Sequence, residues 1–146
     1  MPSDPPDATL QIAFASSDRQ RVDQHFGAAQ AFVFHSVAAD RSALLAVVEF
    51  VTTAPADNEG RLASKIALLD GCAAVYCAAV GASAIRQLLA RGIQPVKVPE
   101  GSRVADLVAE LQRAWSAGPT GWLARALRKP DAESRFATMA AEGWQE

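Results

Sequence analysis

A chain of 146 residues, half of them hydrophobic, is long enough to bury one sizeable core and short for two domains. Fourteen basic residues against sixteen acidic ones give a formal charge of -2, so the broad positive field of a nucleic-acid binder is missing and only local basic spots remain. No apolar run approaches the roughly 20 residues that cross a bilayer, and "MPSDPPDATL" has neither the basic nor the apolar part of a signal peptide, which points to a cytoplasmic protein without membrane contact.

Residues 1–8 hold three prolines and two aspartates with little to bury and read as a mobile tail ahead of a domain spanning 9–117. "LQIAFA" (10–15), "AFVFHSV" (31–37) and "ALLAVVEFV" (43–51) are apolar, aromatic or β-branched runs that predict three strands. The link "AADRS" is short enough to make the second and third an antiparallel hairpin. After it the period changes: Leu62, Ile66 and Leu69 fall on one face of a helix that Asn58 or Asp57 would cap and Gly71 would end. "AAVYCAA" (73–79) predicts a buried strand, and "GASAIRQLLARG" (81–92) a helix with Ile85, Leu88 and Leu89 inward and Gly92 as its stop. "IQPVKV" (93–98) predicts a strand, and Ser102 a cap for a last helix carrying Val104, Leu107, Val108, Leu111 and Trp115.

The order is thus β-β-β-α-β-α-β-α, an α/β fold with a five-stranded mixed sheet and helices on both faces. Residues 118–146 remain as an amphipathic tail. Trp122, Leu123, Ala126 and Leu127 predict one short helix, and Phe136 and Met139 another. Such a tail either packs back on the domain or serves as an arm that covers a ligand or a partner.

Ligands in a sheet of this kind bind outside the carboxyl ends of parallel strands, where helix N-termini point outward. If the first and fourth strands are neighbours, the loop "SSDRQRVDQHFGAAQ" and the segment "CAAVGASA" bring His25, Cys77 and the amides of Gly81, Ala82 and Ser83 to one cavity. The chain has only two histidines. His25 sits in a long loop, with Phe26 as an apolar anchor and Gly27 as a flexible neighbour, whereas His35 shares a strand face with Val33 and Val37 and reads as a packed group. Cys72 and Cys77 are too few for a secreted disulfide framework, and their spacing is not that of a zinc knuckle. Cys77, just before a helix start, is the better candidate ligand, and Cys72 reads as a core plug. Asp18 and Asp23 read as solvated loop carboxylates, while Arg19 and Arg21 would help an anionic ligand. The serines lack a nucleophile-elbow setting, no phosphate-binding glycine motif is present, and an enzyme reading has little support.

On these residues, "IAFASSDRQRVDQHFGAAQAFVF", "GRLASKIALLDGCAAVYCAAVGASAIRQLLARGIQPVKV" and the tail "GWLARALRK…RFATMAAEGWQE", the chain resembles the NifX/NifY/nitrogenase accessory factor family, its tail the NifX branch in particular. The stretch "GPTGWL" is poorer in proline than that branch's pattern. The resemblance implies a ribonuclease-H-like fold without nuclease activity and the reversible binding of an iron–sulfur precursor of the nitrogenase iron–molybdenum cofactor. Cluster-donor proteins, an assembly scaffold and apo-nitrogenase are the implied partners of what would be a monomeric, non-catalytic carrier. The histidine of the family's D-x-H-F-G loop maps onto His25 as the leading metal ligand, with Cys77 second and His35 in reserve. Ser16, Arg19, Arg21, Phe26, Gly27, Gly81, Ala82 and Ser83 complete the candidate cofactor-binding set. The alternative is an interaction module that docks on a nitrogenase component or scaffold through the C-terminal tail.

Overall fold

The computed structural model describes residues 8–49 and 58–128. The elements are β1 (Leu10–Ala15), β2 (Arg21–Val22), β3 (Ala31–Val37), β4 (Ser42–Glu49), α1 (Asn58–Leu68), β5 (Ala74–Cys77), α2 (Ala82–Ala90), β6 (Gln94–Lys97), β7 (Ser102–Arg103), α3 (Val104–Ala117) and α4 (Gly121–Arg128). Five strands form one sheet in the order β4-β3-β1-β5-β6. β1 runs antiparallel to β3 and parallel to β5, β3 is antiparallel to β4, and β5 is parallel to β6, so the sheet is mixed. This is the α/β arrangement the sequence predicts, with β1 and β5 adjacent.

Alternation along each strand builds two core layers. Ala13 and Ala15 lie opposite Phe34 and Phe32 across the β1–β3 ladder. The alanines leave room for the phenyl rings, and with Val75, Ile66, Leu69 and Leu88 they make the layer under α1 and α2. Ile12, Phe14, Val33, Val37 and Tyr76 point the other way, against α3 and α4. α3 keeps its apolar residues at helical spacing, and Val104, Leu107, Val108, Leu111 and Trp115 are all buried as expected. Fully burying a side chain of this kind stabilises the fold by roughly 1.5–3 kcal/mol, which is why α3 holds despite having no side-chain cap. α4 forms where the tail's first helix is expected, with Leu123 buried and Trp122 and Leu127 packed on the same layer. Gly71 and Gly92 stop α1 and α2 with φ of 93° and 77°, a region that favours glycine.

Three details differ from the expectations. Leu89 is 52% exposed, because α2 is only nine residues long and packs through the narrow stripe of Ala84 and Leu88. Ser102 does not cap α3: it pairs with Val22 in a separate two-stranded ladder, β2–β7, and its hydroxyl donates to the Pro99 carbonyl at 2.6 Å. Arg103 is the N-cap, and the amide of Val104 donates to the Gln20 carbonyl at 2.8 Å. β5 ends at Cys77, since Ala78 and Ala79 turn their backbone bonds to the 16–30 loop. The expected N-terminal tail, the Asp57 cap, the end of the third predicted strand at 50–51, and the helix at Phe136 and Met139 lie outside the described residues, although Ala8 packs on the second layer.

β4 is an edge strand, exposed at Leu44 (54%) and Leu45 (53%). Its pairing with β3 shifts register between Phe34 and His35, leaving Leu45 as a bulge. Among the described residues no helix is long and apolar enough to cross a membrane.

Candidate functional site

The loop between β1 and β3 is built from its own side chains. The Ser16 hydroxyl donates to the Asp18 carboxylate (3.2 Å) and accepts the Arg19 amide (2.9 Å). The same Asp18 oxygen accepts the amides of Gln20 (2.8 Å) and Arg21 (2.9 Å). These two amides hold the Asp18 carboxyl below its usual range. Arg19 takes φ of 70° at the turn they create. Asp23 accepts the amide (2.9 Å) and hydroxyl (2.5 Å) of Ser17. Asp18 and Asp23 are therefore the loop's internal scaffold rather than idle solvated carboxylates. Ser16, only 1% exposed, belongs to that scaffold. The signal was legible in part, since S-x-D is a spacing at which a side chain can replace backbone partners.

The chain next lies across the carboxyl end of the sheet. The Asp23 amide donates to the Ala15 carbonyl (3.3 Å), the Ala78 amide to the Gln24 carbonyl (2.9 Å) and the Phe26 amide to the Ala79 carbonyl (2.7 Å). His25 and Ala79 form a parallel β-bridge. Phe26 is fully buried, its ring 5.5 Å from that of Phe32. The turn after it closes through the Ala28 amide on the His25 carbonyl (3.1 Å) and the Ala29 amide on the Phe26 carbonyl (3.3 Å). The outcome is a fixed backbone with the His25 imidazole exposed at the strand ends. Gly27 is exposed, and a Cβ there would meet nothing within 4 Å, so crowding does not demand glycine at this position.

One residue that the sequence reading passed over reaches this turn. Lys65 of α1 is 8% exposed, and its Nζ donates to the carbonyls of Gly27 (2.6 Å) and Phe26 (3.4 Å). It lies three residues after Leu62 in the inward stripe, and a lysine in an apolar stripe was the signal that could have found it.

Cys77 is near in sequence to the bridge but faces the wrong way. Strict alternation sends it with Val75 into the first layer at 0% exposure, and burial pushes its thiol up to about 11. The expectation that it opens with His25 onto one cavity is not met, because the imidazole is outside and the thiol is sealed within. Cys72 is the expected core plug, its thiol pushed to about 12 by burial and by Asp70.

His35 is also apart from the loop. It pairs with Ile12, three residues along from the Ala15–Phe32 pair at which the loop leaves, or about 10 Å. Its ring meets Phe14 edge-on at 5.4 Å, which supports the packed reading. Nδ1 is buried with no hydrogen-bond partner among the described residues, and burial lowers the pKa from the ordinary 6.5. An unfolded chain takes up this proton first, so the stability tied to neutral His35 is complete above pH 6.5 and is lost as pH falls through the lowered folded value. Replacing His35 with Leu is expected to flatten the fall in stability as pH drops below 6.5, read by urea denaturation; an unchanged slope would contradict the assignment.

The remaining candidates are exposed residues of the same loop and of the start of α2. Gly81 is the extended N-cap of α2 without a side-chain cap, and Gly81, Ala82 and Ser83 are exposed two to four residues beyond Ala79. Their first-turn amides have no intrahelical acceptor. Arg19 and Arg21 are exposed, Arg21 donating to the Gly101 carbonyl at 3.3 Å and standing opposite Arg103 in the β2–β7 ladder. Two cavities, about 210 Å³ beside Tyr76, Glu110 and Trp122 and about 660 Å³ beside Ala39 and Gln112, lie against α3 and do not include His25. Among the described residues no three His, Cys, Asp or Glu side chains converge to enclose a metal ion.

Comparison with known proteins agrees on one family. The model described as "Dinitrogenase iron-molybdenum cofactor" matches residues 9–114. The protein NifX of Azotobacter vinelandii is 55% identical over 140 residues, covering 94% of this chain and 88% of that one. The NifX of Klebsiella pneumoniae is 38% identical over 107 residues, covering 73% and 68%. Among solved structures, that of PH0822 superposes with a TM-score of 0.51 at 22% identity over 77% of this chain and 94% of the other, a likeness of fold alone.

Proposed function

The chain belongs to the dinitrogenase iron-molybdenum cofactor family, among the NifX proteins, and from that membership we propose that it is a non-catalytic carrier of an iron–sulfur precursor of the cofactor. Its role lies in nitrogenase cofactor biosynthesis. The observation that carries the finer reading is the His25 imidazole, exposed on a backbone that the Ala79 bridge holds in place. A carrier must shield its cargo and still release it, so one replaceable ligand suits it better than a closed cage. A neutral imidazole binds iron without adding charge to an anionic cluster. The α2 amides at Gly81, Ala82 and Ser83, with Arg19 and Arg21, offset the charge that the cluster brings. Cys77, buried in the core, and His35, half-buried against Phe14, are not needed for this reading. Cluster-donor proteins, an assembly scaffold and apo-nitrogenase are the proposed partners, met in the cytoplasm.

Anaerobic incubation with a protein that donates the precursor is expected to give a brown species with charge-transfer absorption and iron moved from the donor. A colourless protein, with iron still on the donor, overturns the carrier reading.

A further inference from the structure

We propose that Lys65 is a positioning residue for His25, its buried ammonium holding the turn that presents the imidazole. The proposal rests on the carrier reading for its purpose but not for its first readout. Two successive carbonyls, those of Phe26 and Gly27, turn toward the Lys65 Nζ at 3.4 and 2.6 Å. Carbonyls turned inward at the rim of a core need a donor, and an ammonium held inside needs acceptors, so each satisfies the other. A residue kept only for packing would be served by Met, which has the same reach and no charge. Lysine at this place in α1, between Leu62 and Ile66, instead ties a helix to the backbone that follows directly on the imidazole.

The rest of the turn depends on that tie. The Ala28 amide donates to the His25 carbonyl and the Ala29 amide to the Phe26 carbonyl, so both bonds are strained or kept according to how residues 26–27 are held. The Phe26 ring and the Ala79 bond remain without Lys65, so its loss loosens the turn more than the fold.

The test uses the full chain with Lys65→Met, Lys65→Gln and Lys65→Arg. Hydrogen exchange of the Ala28 and Ala29 amides is expected to quicken by about ten- to a hundredfold in Lys65→Met, as loss of a bond from a charged donor implies, with the β1 amides of Ala13 and Phe14 unchanged. Lys65→Gln, keeping a neutral donor, is expected to fall between, and Lys65→Arg to restore slow exchange. Retention of precursor received from a donor protein is expected to drop about 10–100-fold in Lys65→Met, the range seen when a ligand loses its orienting partner. Unchanged exchange at Ala28 and Ala29 in Lys65→Met and Lys65→Gln overturns the proposal. So does equal quickening in β1, which would make Lys65 merely structural. If the unaltered chain takes up no iron, the carrier reading falls while the exchange result still decides whether Lys65 holds the turn.

Discussion

Replacing His25 with alanine is expected to weaken retention of the iron–sulfur precursor by at least about 100-fold, the upper end of what losing only an orienting partner costs. The imidazole is exposed and no hydrogen bond of the described residues depends on it, so stability should stay within about 0.5 kcal/mol of the unaltered chain. That separation makes the variant informative. Retention is read anaerobically as the fraction of iron left on the protein when a donor or chelator competes, and stability by urea denaturation. His35→Ala supplies the contrast, because it removes a packed ring against Phe14 and leaves the loop alone. Retention that survives in His25→Ala, or that fails in His35→Ala instead, refutes the assignment of the ligand.

The second large effect is expected at Phe26. Phe26→Ala should destabilise the protein by about 3–5 kcal/mol, as cavities left by buried aromatic rings do. Phe26 is fully buried in the first core layer, its ring packed against that of Phe32. A chain of this length should then melt roughly 10 °C or more lower. The same substitution should impair cargo retention, because the ring is what seats the residue next to His25. Phe26→Leu keeps most of the apolar volume and should recover most of the stability. Calorimetry and denaturant titration check both, and a loss below about 1 kcal/mol in Phe26→Ala would mean the loop does not anchor there.

How much of this the sequence discloses depends on whether a residue's role is periodic. β1, β3 and α3 were legible because burial on both faces of a strand, or on one stripe of a helix, leaves a pattern of apolar residues, and the adjacency of β1 and β5 followed from crossover rules. β2 and β7 were not, since two-residue strands are held by tertiary bonds such as that from the Gly101 amide to the Val22 carbonyl, which leave no period. The exposed loop position of His25 was legible from the length of the stretch between the first two strands. Cys77 was placed by its nearness to a helix start, yet the alternation of β5 already paired it with Val75 and sent it inward. The tie from Lys65 to the loop was hidden because the two carbonyls it reaches lie 39 and 38 positions away and carry no residue-type signature.

The bulge at Leu45 has a bearing on how the molecule behaves in concentrated solution. An outer strand with bare leucines, and without lysine or proline, is an invitation to a visiting chain. The extra residue interrupts the regular comb of amides and carbonyls halfway along, so a newcomer could zip up only three or four positions before falling out of step. A small irregularity on the side of the sheet away from β6 thus works against edge-to-edge pairing at the strand that would otherwise invite it.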